Sequence, residues 1–471
     1  MVLEQQVEQM QDELIRHIQE CVRLRSVKDP ASVGPGAPFG QGVQQTLDWF
    51  LATAAHMGFA TRNIDGYVGV VEWGEGDVLG ILGHLDVVPE GDGWSVPPYA
   101  AEIHDGRIFG RGVSDDKGPA LAALYAMKAL KDAGYPLTRK IRLILGTDEE
   151  SGWADLAYYQ EREQLCAEGF TPDGKFPLIN AEKGILHVEL RRETTDFPHI
   201  IAFNAGERPN IVPHCCTVQV RGVAASELQQ AIASFSSPPG VLVTWESNGE
   251  MSQTLCVHGV SAHGSLPQEG VNAALYAVRL LRGLPLTEEE ARLLAWIDEG
   301  PGSSVYGEGV GLGLSDEVSG RLSLNVGQME IAAGWARLII DIRYPVSLTE
   351  HAIVARMQTA AEQAGYTVSV LLSQDPHYVP QDSAFVQTLL QAYTDVTGQD
   401  GRALATGGGT YAKALSCGVA FGPVFPGEPD LAHCADESIR IDRVCQMTKI
   451  YVQALYRLGV ANAGSAEGGK D

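Results

Sequence analysis

The sequence predicts an α/β protein, and three observations carry that prediction. Short apolar runs at Val78–Leu82 and Ile141–Leu145 read as buried strands. Between them, Ala120 to Tyr125 reads as part of a helix that ends at Gly134, giving the strand, helix, strand order of a sheet with helices on its faces. Each apolar run breaks off into polar residues, Gly83-His84-Leu85-Asp86 after the first and Thr147-Asp148-Glu149-Glu150-Ser151-Gly152 after the second. Strand ends of this kind are where open α/β sheets carry ligands.

Taken in order, the chain opens with Met1 to Leu24, which puts Val7, Met10, Leu14, Ile18 and Cys21 on one helical face. This start lacks the basic stretch and apolar run of a signal peptide, and no later stretch is long enough to span a membrane, so the cytoplasm is the expected compartment. At 471 residues the chain has room for two or three domains, and 45% hydrophobic with 20% charged is ordinary for a globular protein. A net charge of -25 excludes nucleic acid and anionic membranes as expected partners. The eight cysteines contain no C-x-x-C pair, so reduced thiols are expected, with Cys434 packed rather than bound to metal.

The polar clusters carry the chemistry. His84 leaves a strand, and Asp86, two residues on and on the same face, is placed to hold its second ring nitrogen. A lone loop histidine is usually structural, but three further clusters point to a cation. Asp115-Asp116-Lys117-Gly118 opens the helix, and a dipole-favoured cap accounts for one aspartate, not two. The acidic run Asp148-Glu149-Glu150 would repel itself without a cation or shared proton. Leu431-Ala432-His433-Cys434-Ala435-Asp436-Glu437 supplies a second histidine. His104, in the turn Ile103-His104-Asp105-Gly106, reads as a surface residue. The run Gly407-Gly408-Gly409 is either a flexible joint or a backbone cradle for an anion.

From about His187 to Tyr378 the chain alternates β and α stretches without metal-ligand clusters. It hints at a doubling: strand Thr217–Val220, helix Ser226–Phe235, strand Val241–Trp245, then strand Ala336–Ile342, helix Leu348–Ala364, strand Thr367–Leu371.

Motif by motif and in order, these segments resemble the co-catalytic metallopeptidase family of aminoacylases, succinyl-diaminopimelate desuccinylases and dipeptidases, and within it the V-type, PepV-like dipeptidases. The resemblance covers nearly the whole chain. It implies an α/β catalytic domain built from residues 1–184 and 379–471, with an α+β lid domain inserted at 185–378. It also implies two divalent ions, one held by His84, Asp115 and Asp173, the other by Asp115, Glu150 and His433, with Asp115 as the bridge. Glu149 matches the general base that takes a proton from the water between the ions, Asp86 the residue orienting His84, and Asp115-Asp116 a cis peptide.

Imidazole with carboxylate suits zinc first, with manganese and cobalt as alternatives. In the insert, His263 would donate to the oxyanion. Asn210, Arg343 and the loop Gly408-Gly409-Thr410 would hold the substrate carboxylate, Arg343 through a bidentate fork. Asp173 matches family members that cleave beside a free amine, which implies unblocked dipeptides as substrates; a large doubled lid would let one chain close its own site, so a monomer is expected. The alternatives are an N-acyl-amino-acid deacylase and a non-catalytic binding protein; the presence of every ligand position and of Glu149 weighs against the latter.

Overall fold

The computed structural model describes residues 2–194, 197–332 and 334–460. The tail 461–471, expected to be disordered from its small-residue composition, lies outside the described residues. The chain forms two compact units. One holds the chain up to Asn180, the segment Val379–Leu404 and the chain from Thr410 onward; the other holds Ala181–Tyr378 and Ala405–Gly409. The sequence places the first change at 184, whereas the unit boundary falls after Asn180, and the short run Ala405–Gly409 goes with the second unit. Two contacts explain that assignment: the Lys183 N–H donates to the Thr406 carbonyl at 3.0 Å, and Arg343 Nη1 donates to the Gly407 carbonyl at 2.8 Å.

In the first unit the apolar runs are strands, Val78–His84 and Lys140–Gly146, with nearly every residue buried as parallel strands require. The sheet order runs Ala60–Ile64, Val68–Trp73, Lys140–Gly146, Val78–His84, Glu168–Thr171, Cys417–Ala420, Leu178–Glu182. The four strands from Lys140–Gly146 to Cys417–Ala420 are mutually parallel. Their carboxyl ends therefore share one edge, where His84 lies opposite Gly146 and Thr171 opposite Ala420.

The helix Lys117–Asp132 is buried on nearly all sides, as a helix apolar all round must be. It packs against Val2–Val22 and Ile441–Gly459. On Val2–Val22 the expected inner face is in place, with Val7, Leu14, Ile18 and Cys21 buried. Gly83 lets the central helix approach the sheet. A Cβ there would lie 2.8 Å from Asp116 Oδ2 and 3.2 Å from the Ala120 Cβ.

The second unit is an eight-stranded antiparallel sheet, in the order Leu242–Ser247, Ser252–His258, Cys215–Arg221, Ile200–Ala205, Ser323–Ala332, Trp335–Tyr344, Gly184–Glu193, Thr367–Gln374. Burial alternates along Cys215–Arg221 and Ser252–His258, so one face carries the core. Helices Ala273–Leu281 and Glu350–Glu362 pack on this sheet.

The strand–helix–strand segments read from the sequence are present, but their strands are not neighbours. Ser252–His258 runs between Cys215–Arg221 and Leu242–Ser247, and Gly184–Glu193 runs between Trp335–Tyr344 and Thr367–Gln374, antiparallel in both cases. The intervening helices have 10 and 13 residues. At about 1.5 Å per residue each is long enough to step over one strand, which takes about 10 Å.

Candidate active site

The acidic clusters converge at the carboxyl edge of the parallel strands. His84 is the last residue of its strand and 1% exposed. Its Nδ1 lies 3.0 Å from the Asp86 main-chain carbonyl. A carbonyl only accepts, so Nδ1 carries the proton and Nε2 of the neutral ring presents its lone pair. The orienting atom is thus the backbone oxygen of Asp86 rather than its carboxylate, whose nearer oxygen is 3.6 Å away. The reason is that the carboxylate is engaged elsewhere. Its Oδ1 accepts the Glu149 N–H and its Oδ2 the Glu150 N–H, both at 3.1 Å.

Asp155 continues this pattern, accepting from Thr147 N at 2.6 Å, Asp148 N at 2.9 Å and the Tyr411 hydroxyl. Two carboxylates therefore take four successive backbone N–H groups and fix the course of the loop that carries Glu149 and Glu150.

Asp115 stands between the two histidines. Its Oδ1 lies 2.9 Å from His84 Nε2, and its Oδ2 lies 3.0 Å from His433 Nε2. His433 Nε2 is also 3.0 Å from Glu150, and His84 Nε2 is 3.9 Å from Asp173 Oδ2. Two ligand atoms on one tetrahedral zinc lie about 3.3 Å apart, given zinc–ligand distances of about 2.0–2.1 Å. The observed separations bracket that value, so these residues fit a pair of cations sharing Asp115. Taken as clusters, His84, Asp115 and Glu150 bring donor atoms within 4.8 Å of one another, and so do His84, Glu149 and Asp173. Glu149 is thus nearer the first ligand group than a purely outer residue would be. The Asp115–Asp116 peptide is cis.

Electrostatics points the same way. Burial and the neighbouring carboxylates push Glu149 well above the usual carboxylate range, raise Glu150, and raise Asp173 to about 8. Burial opposes the charge on both histidines, yet the carboxylates outweigh it, holding His84 well above its ordinary value and His433 at about 12. Asp115, despite its burial, is held low by His433 and His84.

The cation-free site therefore holds protons at neutral pH that a metal must displace. Zinc binding is expected to release at least one proton per protein at pH 7, and its apparent affinity is expected to rise from pH 6 to pH 8. Titration calorimetry in buffers of different ionisation enthalpy measures the number, and a value of zero contradicts the ligand set.

Sequence reasoning missed three residues here. Asp155 holds the acidic loop. Lys117, fully buried, donates to the Leu24 carbonyl at 2.6 Å and the Cys21 carbonyl at 3.3 Å, carbonyls at the end of the first helix. Glu437 is buried and accepts from the main chain around Asp115. A buried acidic residue whose partners are backbone N–H groups leaves no signature in one sequence.

Cys434 is exposed rather than packed. His433, with φ of +64°, starts the left-handed turns of this loop, and the side chain after it leaves the core. His104 is exposed and lies 2.7 Å from Glu102.

In the second unit, the proposed substrate contacts form a group of their own. The Gly264 N–H donates to the Asn210 carbonyl at 2.7 Å, and Ile211 bridges His263. A Cβ on Gly264 would lie 2.5 Å from Asp341 Oδ2 and 2.9 Å from the Asn210 backbone, so only glycine fits. His263 Nδ1 accepts the Ser265 N–H at 3.2 Å, which puts the ring proton on Nε2 as a donor. Arg343 is 4% exposed, and its Nε and Nη2 already donate to Asp341 at 2.7 and 3.0 Å. That edge of the guanidinium is therefore not open to a substrate carboxylate. Gly408 donates its N–H to Thr406 Oγ1 at 3.1 Å, Gly409 closes the second unit's short run, and Thr410 caps the turn Tyr411–Ala414 of the first.

YtjP of Bacillus subtilis (strain 168), a dipeptidase by name, is 39% identical over 467 residues, covering 97% of this chain and 99% of that one. A protein of Staphylococcus aureus (strain USA300), also a dipeptidase by name, is 35% identical over 477 residues with the same coverage.

Among solved structures, human carnosine dipeptidase 1 superposes with a TM-score of 0.57 at 17% identity, over 96% of this chain and 98% of that one. The dipeptidase Dug1p of Saccharomyces cerevisiae gives 0.58 at 15%, over the same shares. At these identities the two structures speak for the fold. The family model of peptidase family M20/M25/M40 matches residues 80–457, a span that takes in every acidic and imidazole cluster described above, and the chain belongs to that family.

Proposed function

We propose that this protein hydrolyses unblocked dipeptides with two divalent ions, zinc first among the candidates. The single observation that carries the reading is Asp115, whose two carboxylate oxygens each lie within 3.0 Å of a different histidine. When bound, two such ions polarise the scissile carbonyl, acidify water and stabilise the developing oxyanion.

The remaining steps fall to the chain. Glu149, half-buried at the carboxyl edge of the sheet, takes a proton from the attacking water as a carboxylate and delivers it to the leaving amine. Asp86 and Asp155 keep the Glu149 loop from shifting during that transfer. His263 Nε2–H donates to the carbonyl oxygen as it gains charge. Asn210 and the Gly408-Gly409-Thr410 loop bind the substrate carboxylate. Arg343 supports them through Gly407 with the donors that Asp341 leaves over. Asp173 accepts the free amine of the substrate in addition to its metal.

The names of the bacterial relatives support dipeptides as the substrate class. The mixed imidazole and carboxylate donor set supports zinc, with manganese and cobalt next. All eight cysteines are unpaired, which supports a reducing compartment such as the cytoplasm. Among the described residues no helix is long and apolar enough to cross a membrane. The working form in this reading is a single chain.

The test compares Ala-Ala with N-acetyl-Ala on the zinc-loaded protein. Ala-Ala is expected to be cleaved with kcat/KM at least about a hundredfold higher, because a site built to pair a substrate amine strongly rejects an analogue lacking it. The reverse preference identifies a deacylase, and no hydrolysis of either returns the chain to the binding-protein alternative.

A further inference from the structure

Glu437 lies outside both ligand sets, yet it is the point at which the two loops feeding the second ion are joined. Its carboxylate is fully buried. Oε1 accepts the Ser114 N–H and the Ser114 hydroxyl, both at 2.9 Å, and the Asp115 N–H at 3.3 Å. Oε2 accepts Arg111 Nη1 at 2.8 Å and the Gly112 N–H at 3.0 Å.

The backbone repeats the bond. The Gly110 N–H donates to the Glu437 carbonyl at 2.9 Å, and Ser438–Arg440 pairs antiparallel with Arg107–Phe109. On its amino side, Glu437 is four residues from His433 in a loop that is otherwise mostly exposed. That loop is pinned again where Asp436 Oδ1 accepts the Ser95 N–H at 2.8 Å. The Glu437 side chain is therefore the direct link from this backbone pairing to Ser114 and Asp115, and it helps to set the distance between the Asp115 loop and the His433 loop. Neither Oε atom has capacity left for a metal, since both are filled by donors.

We infer that Glu437 is the positioning residue for one ion of the pair, the ion held by Asp115, Glu150 and His433, and that it has little influence on the ion at His84 and Asp173. The asymmetry follows from where the ligands sit. His84 and Asp173 are placed by strand ends of the sheet, whereas His433 rides a loop whose course depends on Glu437. An amide in place of the carboxylate has the same shape but turns an N–H group toward donors that need an acceptor. The loops then part, and His433 moves relative to Asp115. This inference rests on the two-ion reading above.

The experiment is zinc titration against a competing chelator, using the full chain of wild type and Glu437→Gln, with thermal melting of the zinc-free proteins alongside. Wild type is expected to take up two zinc ions; uptake of one or none defeats the two-ion reading itself. In Glu437→Gln, one ion is expected to bind about 10- to 100-fold more weakly and the other within about threefold, the range typical of residues that support metal ligands. In a His433→Ala background, where that ion is already compromised, Glu437→Gln should leave the remaining affinity unchanged within about threefold.

Two unchanged affinities, or equal loss of both, overturn the inference. If Glu437→Gln does not fold, Ser114→Ala takes its place, removing one hydroxyl donor and leaving the rest. It is expected to weaken the same ion severalfold, and no change there overturns the inference equally.

Discussion

Replacing Glu149 with Gln is expected to leave both zinc ions in place and the fold intact while kcat falls by at least about a hundredfold, the lower end of what a general base contributes. That loss corresponds to about 2.7 kcal/mol of transition-state stabilisation. The expectation depends on two facts. Glu149 is held by its backbone N–H on Asp86, so exchanging the side-chain oxygen for an amide disturbs no anchoring bond. The amide cannot take a proton from water. Turnover within threefold of wild type, measured on protein with two bound ions, removes Glu149 from the chemistry. Loss of an ion instead identifies it as a ligand, as its proximity to His84 and Asp173 allows.

Asp115→Ala is expected to have a broader effect, because each of its oxygens serves a different histidine. Both ions should bind at least about a hundredfold more weakly, beyond the usual range for supporting residues, and dipeptide hydrolysis should fall below detection. Asp173→Ala, by contrast, should weaken one ion and spare the other. The comparison is read by metal content after dialysis, with circular dichroism to confirm the fold. Retention of one tightly bound ion in Asp115→Ala breaks the bridging assignment.

The parts of this site legible in the sequence were those in which a side chain contradicted its surroundings. His84 and the Glu149-Glu150 pair end apolar strands, and two adjacent aspartates open a helix where one would serve. Such misfits have few explanations other than a cation. What was not legible depends on which atom makes a contact. Asp86 was read as the residue orienting His84 with no atom named; its main-chain carbonyl takes that role, because the carboxylate is committed to two backbone N–H groups.

Arg343 was read as a fork for substrate, and Asp341, two residues before it, occupies one edge of that fork. A strand places residues two apart on the same face, so this pairing was within reach of the sequence. Glu437 was beyond reach, since its partners are mostly amide groups that any residue could supply. The α/β class itself followed directly from the apolar runs. The interleaving of an antiparallel strand into each repeat of the second unit did not, because strand order is decided by contacts far apart in the chain.

The place of Cys417–Ala420 in the first sheet has a consequence for how the protein is made. This strand, drawn from near the end of the chain, lies between Glu168–Thr171 and Leu178–Glu182, which are synthesised far earlier. A nascent chain therefore carries an open seam in the middle of its framework until residues 417–420 have been synthesised. His433 emerges from the ribosome shortly after the segment that closes the seam, so a product cut short by premature termination before residue 417 lacks both the closing strand and the last histidine, and cannot become a stray hydrolase.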